Sequence, residues 1–388
     1  SFINSGSISL QDCIPNPINR IRNKKIIIFF IIILIVINLN KEVQKYVYNL
    51  IMDVFKKQSL SKLLLGFIAL FFLQSCSLIK TDFNFINPIF KVKTMDNLFL
   101  DFPKLSKQLP IRVTYPETTG NLPVIIFSHG NGSKGDMYQG FTDYWASHGY
   151  VVIQPTHIDS TSLGFVTKRG NMREMAKQML YVTDTRRQDM SFIIDSLNLI
   201  EEMIPDLKNR LDRSKLVAAG HSMGAATAML VSGMKLVNPM DGTEESSEES
   251  RFKVLLMISD PGTMTLMPKD PWKGVRIPTL ISTGTEDFSD VGSTRVKSPF
   301  KYEVPVSLRR SFAPHHYLLI DKADHYLGGL ICRTDAPGPP QYEALDIAAK
   351  SSIVFLNAYV KNDKNALISM RLGDMKKATN GRASLTLK

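Results

Sequence analysis

Cysteine is scarce in this chain. Its 388 residues hold three, Cys13, Cys76 and Cys332. None stands in a CxxC pair, which excludes a zinc ribbon and a thioredoxin-like motif. With Cys76 modified as argued below, Cys332 is left without a disulfide partner and reads as a partly buried thiol of no special role. Arginine-rich stripes and interleaved aromatic platforms are also missing. The formal charge of +11 is unevenly spread, since residues 1–75 hold nine Lys and Arg against three Asp and Glu. More than half of the surplus therefore lies ahead of the globular part, and no nucleic-acid partner is expected. No internal repeat occurs, so solenoids and propellers are excluded. What is present is ordinary for a globular protein, at 44% hydrophobic and 21% charged residues. That length can bury a large core, and one α/β domain with a tail is the simplest partition.

Two apolar runs precede the globular part. Ile26 to Ile37 follows Arg20, Arg22, Lys24 and Lys25 and is short for a membrane span. From Met52 the chain gives a basic stretch with Lys56, Lys57 and Lys62, an apolar run from Leu63 to Leu73, and then Gln74-Ser75-Cys76. This is the layout of a signal peptide. Leu73-Gln74-Ser75-Cys76 resembles the lipobox of bacterial lipoproteins, in which the cysteine is lipidated on sulfur and becomes the new N-terminus. The resemblance implies a signal peptide over 52–75, lipidation of Cys76, and a lipid anchor in the bacterial cell envelope, at the outer membrane or facing the periplasm. An uncleaved anchor is the alternative. A buried core helix is disfavoured because no polar face interrupts Leu63–Leu73. Residues 1–51 lack an initiating Met and are rich in Ile, Asn and Lys. They are expected to come from an over-extended reading frame, with Met52 the true start. Residues 76–94 then read as a tether, 95–365 as the globular domain and 366–388 as a C-terminal tail.

Past Pro88, Pro103 and Pro110, short apolar runs alternate with helical patterns, the signature of a mostly parallel sheet with helices on both faces. The strand candidates are Ile111–Tyr115, Pro123–Phe127, Tyr150–Gln154, Lys215–Ala219, Phe252–Ile258, Thr279–Ser282 and Tyr317–Ile320. Arg186–Met203 carries Met190, Ile193, Ile194, Leu197 and Ile200 at helical spacing, and Pro205 stops it. A last helix is expected at about Tyr342–Val360. Asp241–Ser250 is acidic and Ser-rich and reads as a solvated loop, with calcium a minor alternative for want of ligand spacing. The stretch His157–Thr185 is equally consistent with a lid over a site and with a long structural connection.

The residues that carry chemistry begin at Gly220-His221-Ser222-Met223-Gly224, which joins an apolar strand to a helix containing Ala225, Ala226 and Ala228. A nucleophile on such a turn needs small residues two positions away, because a side chain there collides with neighbouring backbone. A serine hydroxyl also needs a base, and in this arrangement acid and histidine follow the serine in that order. Of seven histidines, only His315, His316 and His325 follow Ser222. His315 and His316 enter their strand at its amino end, whereas His325 lies past the carboxyl end, where sites of parallel sheets gather. His325 is therefore the base. The acid should end the penultimate strand. Asp287 is chosen, with Glu286 the rival and Asp260 a third option, while Asp324 adjoins the base and points elsewhere. His221 reads as a packing and hydrogen-bonding residue. Pro123–Phe127 runs into Ser128-His129-Gly130-Asn131-Gly132. The backbone amide of Asn131, with Gly130 second, is expected to join that of Met223 in an oxyanion hole.

Several segments together resemble one branch of the α/β-hydrolases. They are Phe127-Ser-His-Gly-Asn-Gly132, Tyr144-Trp-Ala-Ser-His-Gly-Tyr150, Arg187-Gln-Asp-Met-Ser-Phe-Ile-Ile-Asp195, the Gly220–Gly224 elbow, Gly284-Thr-Glu-Asp287 and Ala323-Asp-His-Tyr-Leu-Gly-Gly329. Over about residues 95–360 the pattern is similar to bacterial dienelactone-hydrolase-like and platelet-activating-factor-acetylhydrolase-like esterases, and more distantly to cutinases and chlorophyllases. It implies an α/β-hydrolase fold with Ser222 as nucleophile, Asp287 as acid, His325 as base, and Asn131 and Met223 as oxyanion donors. It also implies ester hydrolysis without metal or organic cofactor, on a small-molecule ester that is short-chain or lipid-derived. Three departures qualify it. Dienelactone hydrolases use a cysteine where Ser222 stands, elbows of this branch often have glycine where Ala225 follows, and in the acetylhydrolase proper the acid comes after the earlier strand, at Asp260. A lipase, thioesterase or peptidase on the same fold is the alternative, as is a non-catalytic surface lipoprotein that binds without turnover.

Overall fold

Continuous Val, Ile and Leu runs can be buried only where both faces of a strand are covered, and all seven expected strands lie in one sheet of the computed structural model. The structure describes residues 81–167, 171–259, 266–287, 289–291, 294–296, 313–336 and 338–387. The readings placed on 1–80, Cys76 among them, and on Asp260 lie outside the described residues. The sheet strands are β1 (Val92–Phe102), β2 (Lys107–Pro116), β3 (Leu122–Ser128), β4 (Val151–Pro155), β5 (Leu211–His221), β6 (Phe252–Ile258), β7 (Thr279–Glu286), β8 (His315–Asp324) and β9 (Ala383–Leu387). Their spatial order is β9-β8-β7-β6-β5-β3-β4-β2-β1. Strands β3 to β8 run parallel, while β1, β2 and β9 pair antiparallel to their neighbours.

Alternation along β3 divides the core in two, because successive side chains face opposite sides of a sheet. Val124 and Ile126 pack with Met190, Ile193, Leu197 and Ala225. Those residues belong to α2 (Met172–Asp195), α3 (Leu197–Met203) and α4 (Met223–Val231). Ile125 and Phe127 face the other way, onto Trp145 of α1 (Gln139–Ser147) and Ile353 and Phe355 of α5 (Tyr342–Tyr359). This is the expected α/β-hydrolase architecture, a mostly parallel sheet with helices on both faces. The order of strands reverses at β3, whose chain continues to β4 on one side while β5 joins it on the other. A crevice opens beyond the carboxyl ends at such a point.

The structure departs from the sequence reading in several places. The helix expected over Arg186–Met203 begins fourteen residues earlier, at Met172, and breaks at Ser196 before α3. Its start is a side-chain cap, with the Asn171 side chain accepting from the Glu174 amide at 3.0 Å. The described part of His157–Thr185 is thus mostly helix. Residues 366–388 are not a tail. They carry most of α6 (Lys364–Leu372), then α7 (Met375–Ala378) and β9, which pairs with β8 from Ile320↔Ala383 to His316↔Leu387. Nor is all of 76–94 a tether, since Thr81–Asp82 pairs with Gly373–Asp374, Phe83 is buried and β1 begins at Val92. Within the acidic stretch, Glu244–Ser246 forms an antiparallel pair with Lys235–Val237. No helix among the described residues is long and apolar enough to cross a membrane.

Candidate active site

Ser222 sits where β5 turns into α4, with φ 55° and ψ −118°. A non-glycine residue holds such a conformation only when its surroundings over-determine it, and here they do. The Ser222 amide donates to the Ile258 carbonyl at 3.1 Å, and its carbonyl accepts from the Ala226 amide at 3.1 Å. The glycines on either side are steric requirements. A Cβ at Gly220 would stand 2.2 Å from the Gly224 oxygen, and one at Gly224 would stand 1.9 Å from the Ser128 oxygen. The turn is therefore wedged against the end of β3, whose Ser128 is in register with Gly220.

The structure brings the three expected side chains together. Ser222 Oγ lies 2.9 Å from His325 Nε2, and His325 Nδ1 lies 2.7 Å from Asp287 Oδ1. Each residue follows the carboxyl end of its own strand, which is why strand polarity selects His325 over His315 and His316. Both of those are buried at the opposite end of β8. Asp287 is 2% exposed, and its second oxygen accepts from Thr283 Oγ1 at 2.6 Å. A Cβ at Gly284 would meet the Ala323 oxygen at 1.9 Å. Only glycine lets the ends of β7 and β8 close far enough for Asp287 to reach the imidazole. The register slip between Gly284 and Glu286 leaves Glu286 exposed and opposite Asp324. Asp324 is turned away, its carboxylate accepting from the amides of Tyr326 and Gly328.

Of the expected amide donors, Gly130 N–H is already taken, since it donates to Tyr138 Oη at 2.8 Å. Asn131 N–H makes no hydrogen bond among the described residues. Nor does Met223 N–H, at the first position of α4, where a helix has no carbonyl to offer. His221 acts as a tie. Its Nε2–H donates to the His325 carbonyl at 2.9 Å, so its Nδ1 accepts from the Tyr138 hydroxyl at 3.0 Å. Gly130 and His325 are thereby linked through two buried rings. Sequence reasoning missed Tyr138, which no motif marks. It also missed Ser259 (φ 61°), whose Oγ lies 3.0 Å from His325 Nδ1.

Cys332 is 5% exposed and borders this network. Burial pushes its thiol up, but hydrogen bonds with His221, Tyr138 and Ser133 outweigh that and hold it below the usual thiol range. Burial, reinforced by Cys332, pushes the Tyr138 phenol well up. Two cavities lie nearby, one bordered by Met223 and the other by Asn131. A polar cleft of about 580 Å³ is lined by Asn131, Ser133, Asp159, Thr161, Phe165 and Arg333 among others. A small apolar slot of about 20 Å³ runs from Met223 past Ala226, Thr227 and Leu230 to Leu266. Among the described residues, no group of His, Cys, Asp and Glu is arranged to hold a metal ion.

Fold and site together define an α/β-hydrolase with a serine at its elbow. The sequence profile of the family described as Chlorophyllase matches residues 89–240. The platelet-activating factor acetylhydrolase of Cavia porcellus is 26% identical over 295 residues, which covers 67% of this chain and 63% of that protein. Cutinase 2 of Thermobifida cellulosilytica is 24% identical over 251 residues, 65% of this chain and 73% of the cutinase. Chlorophyllase-1 of Arabidopsis thaliana is 37% identical over 46 residues, 12% of this chain and 14% of that protein. The chain spans less than two thirds of the length of the acetylhydrolases it matches, 63% for the guinea-pig protein and 31% for the bovine one. The chain has the α/β-hydrolase fold and is similar over part of its length to these hydrolases.

Proposed function

We propose that the protein hydrolyses carboxylic esters through an acyl-enzyme on Ser222. The observation that carries this reading is the unbroken line from Ser222 Oγ through His325 to Asp287 at a strained turn, with two unbonded amides beside it. Ser222 Oγ attacks the ester carbonyl while His325 Nε2 takes its proton. Asp287 orients the imidazole and stabilises its charged form. The amides of Asn131 and Met223 receive the negative charge that develops on the carbonyl oxygen, each donor contributing about 3 kcal/mol to the transition state. His325 returns the proton to the leaving alcohol, then deprotonates the water that releases the acid. None of these steps calls for a metal or an organic cofactor.

The two cavities support a division of the substrate. The apolar slot borders Met223, and its volume of about 20 Å³ suits no more than a methyl-sized group. The polar cleft begins at Asn131 and is large enough for the alcohol half. A series of p-nitrophenyl esters of increasing acyl length tests this, and kcat/KM should be highest for the shortest acyl groups. A fluorophosphonate should label Ser222, and Ser222→Ala should abolish both labelling and hydrolysis. An unlabelled Ser222 would favour the binding module, and hydrolysis that survives Ser222→Ala would overturn the mechanism. We further propose that the enzyme is held at a bacterial envelope membrane by lipidation of Cys76, on the strength of Leu73-Gln74-Ser75-Cys76. Cys76→Ala should move the protein from the membrane fraction to the soluble one. A variant that stays in the membrane fraction would leave the uncleaved anchor.

A further inference from the structure

Behind the oxyanion loop lies a fully buried guanidinium, that of Arg186 in α2. An arginine is rarely buried without partners for all five of its N–H groups, and each group here has one. Nε donates to Asp159 Oδ1 at 2.8 Å and Nη2 to Asp159 Oδ2 at 2.8 Å, a two-pronged pair. Nη1 donates to the His129 carbonyl at 2.6 Å and to Ser128 Oγ at 3.2 Å. Nη2 also reaches the Gly130 carbonyl at 3.2 Å. Two of the five therefore end on consecutive carbonyls of the segment that carries Asn131.

The surroundings fix this segment from every other side. Gly130 O also accepts from His129 Nδ1 at 2.7 Å and from the Ser133 amide at 3.2 Å. Gly132 N–H donates to Asp159 Oδ2 at 3.3 Å, and Gly132 O accepts from the amide and hydroxyl of Thr161 at 3.1 and 3.0 Å. Gly130 N–H is held by Tyr138. Among the amides of residues 130 to 133, only that of Asn131 is left without a bond. A peptide's N–H and C=O point in opposite directions, so drawing the Gly130 carbonyl inward aims the next N–H, that of Asn131, outward.

Asp159 is the carboxylate that pairs directly with Arg186. Burial would push the Asp159 carboxyl up, but the guanidinium holds it well below the usual carboxylate range. Burial and the same guanidinium push His129 and His157 well below the usual histidine range, so both rings stay neutral with fixed tautomers. His157 Nε2 accepts from Ser128 Oγ at 2.9 Å, and its Nδ1–H donates to Asp189 Oδ2 at 2.9 Å. Lys107 lies 2.6 Å from the other Asp189 oxygen. This is a second serine–histidine–aspartate line with the same order of atoms as the first, but it is wholly buried and its hydroxyl receives Arg186 instead of a substrate.

We propose that Arg186 is a positioning residue that directs the Asn131 amide into the oxyanion hole, with Asp159 orienting the guanidinium. This rests on the reading of Ser222 as the nucleophile. A lysine cannot reproduce a planar fork of five donors, so Arg186→Lys in the full chain should lower kcat about 100-fold and leave KM within about threefold. The affinity for a phenylboronic acid, which forms a tetrahedral adduct on the serine, should fall in parallel with kcat. A merely structural role would lower the melting temperature and the active fraction, and would leave kcat per fluorophosphonate-labelled site and the boronate affinity unchanged. Asp159→Asn keeps the shape, should give about a tenfold loss of the same kind, and decides the matter if Arg186→Lys does not fold. Wild-type kcat and boronate affinity per labelled site in the folded variants would overturn the proposal. A wild-type protein that neither hydrolyses esters nor labels at Ser222 would instead remove the functional reading on which it rests.

Discussion

At the scale of single residues, the site depends on where atoms are missing as much as on where they are present. Gly224 faces the end of β3 so closely that an added methyl group has nowhere to go. Gly224→Ala should destabilise the protein by about 3 kcal/mol and abolish labelling of Ser222, measured by urea denaturation and fluorophosphonate gel. The acid is tested by removing its charge. Asp287→Asn should cut kcat by about 10⁴-fold, while Asp260→Asn should leave it near the wild-type rate. Ser259→Ala removes only a neutral neighbour of His325 Nδ1 and should cost less than about tenfold. Equal losses for Asp287→Asn and Asp260→Asn would reopen the assignment of the acid. The grouping of Ser222, Asp287 and His325 was legible in the chain because each follows a strand that its own apolar run announces. Tyr138, Ser259 and Arg186 were not. Their partners are mostly backbone carbonyls, amides and rings contributed by distant segments, and such bonds leave no spacing in a sequence.

At the scale of elements, the seven expected strands could be read directly, since several of them are continuous Val, Ile and Leu runs of the kind covered on both faces. The two sheet-edge strands could not. In β1 the pattern of burial is dominated by exposed and half-buried positions, so its apolar content is diluted. The last strand, Ala-Ser-Leu-Thr-Leu, is too short to stand out. The start of α2 was hidden for a different reason. Met172, Met175 and Tyr181 are exposed, Met172 by 87%, so the apolar stripe that marks an amphipathic helix is blurred over its first turns. The capping signal Asn171-x-x-Glu174 was present but carries little weight without the stripe. The last strand also has a mechanical role, because it covers the edge of β8, the strand that leads into His325. A chain ending at Arg382 should have a lower melting temperature and, with an open sheet edge, should aggregate on warming. Light scattering during a thermal ramp would detect this, and an unchanged ramp would show that β8 needs no cover.

At the scale of the whole molecule, stability should depend on pH through histidines that the fold keeps neutral. Burial, with nearby cations at some of them, depresses His129 and His157 well below their usual range, His315 to about 4 and His316 to about 3. A group whose folded pKa lies below its unfolded value binds fewer protons when folded. Its stabilisation is therefore complete above about pH 6.5 and is lost as pH falls toward 4. Asp189 works in the opposite sense, because burial raises it to about 6 and its contribution declines as pH rises through that region. Burial raises Asp143 as well, but these two carboxyls are outweighed by four imidazoles, so unfolding midpoints should fall from pH 8 to pH 5. His315 alone accounts for about 2 kcal/mol of that fall, and His315→Gln should flatten it.

The bond between Gly130 N–H and the Tyr138 hydroxyl places two adjacent residues on opposite sides of the solvent boundary. In deuterium oxide the Gly130 amide should exchange only when the whole unit opens, and so should report global stability. The Asn131 amide should exchange at once, and should slow selectively when a phosphonate adduct on Ser222 puts an oxygen in front of it.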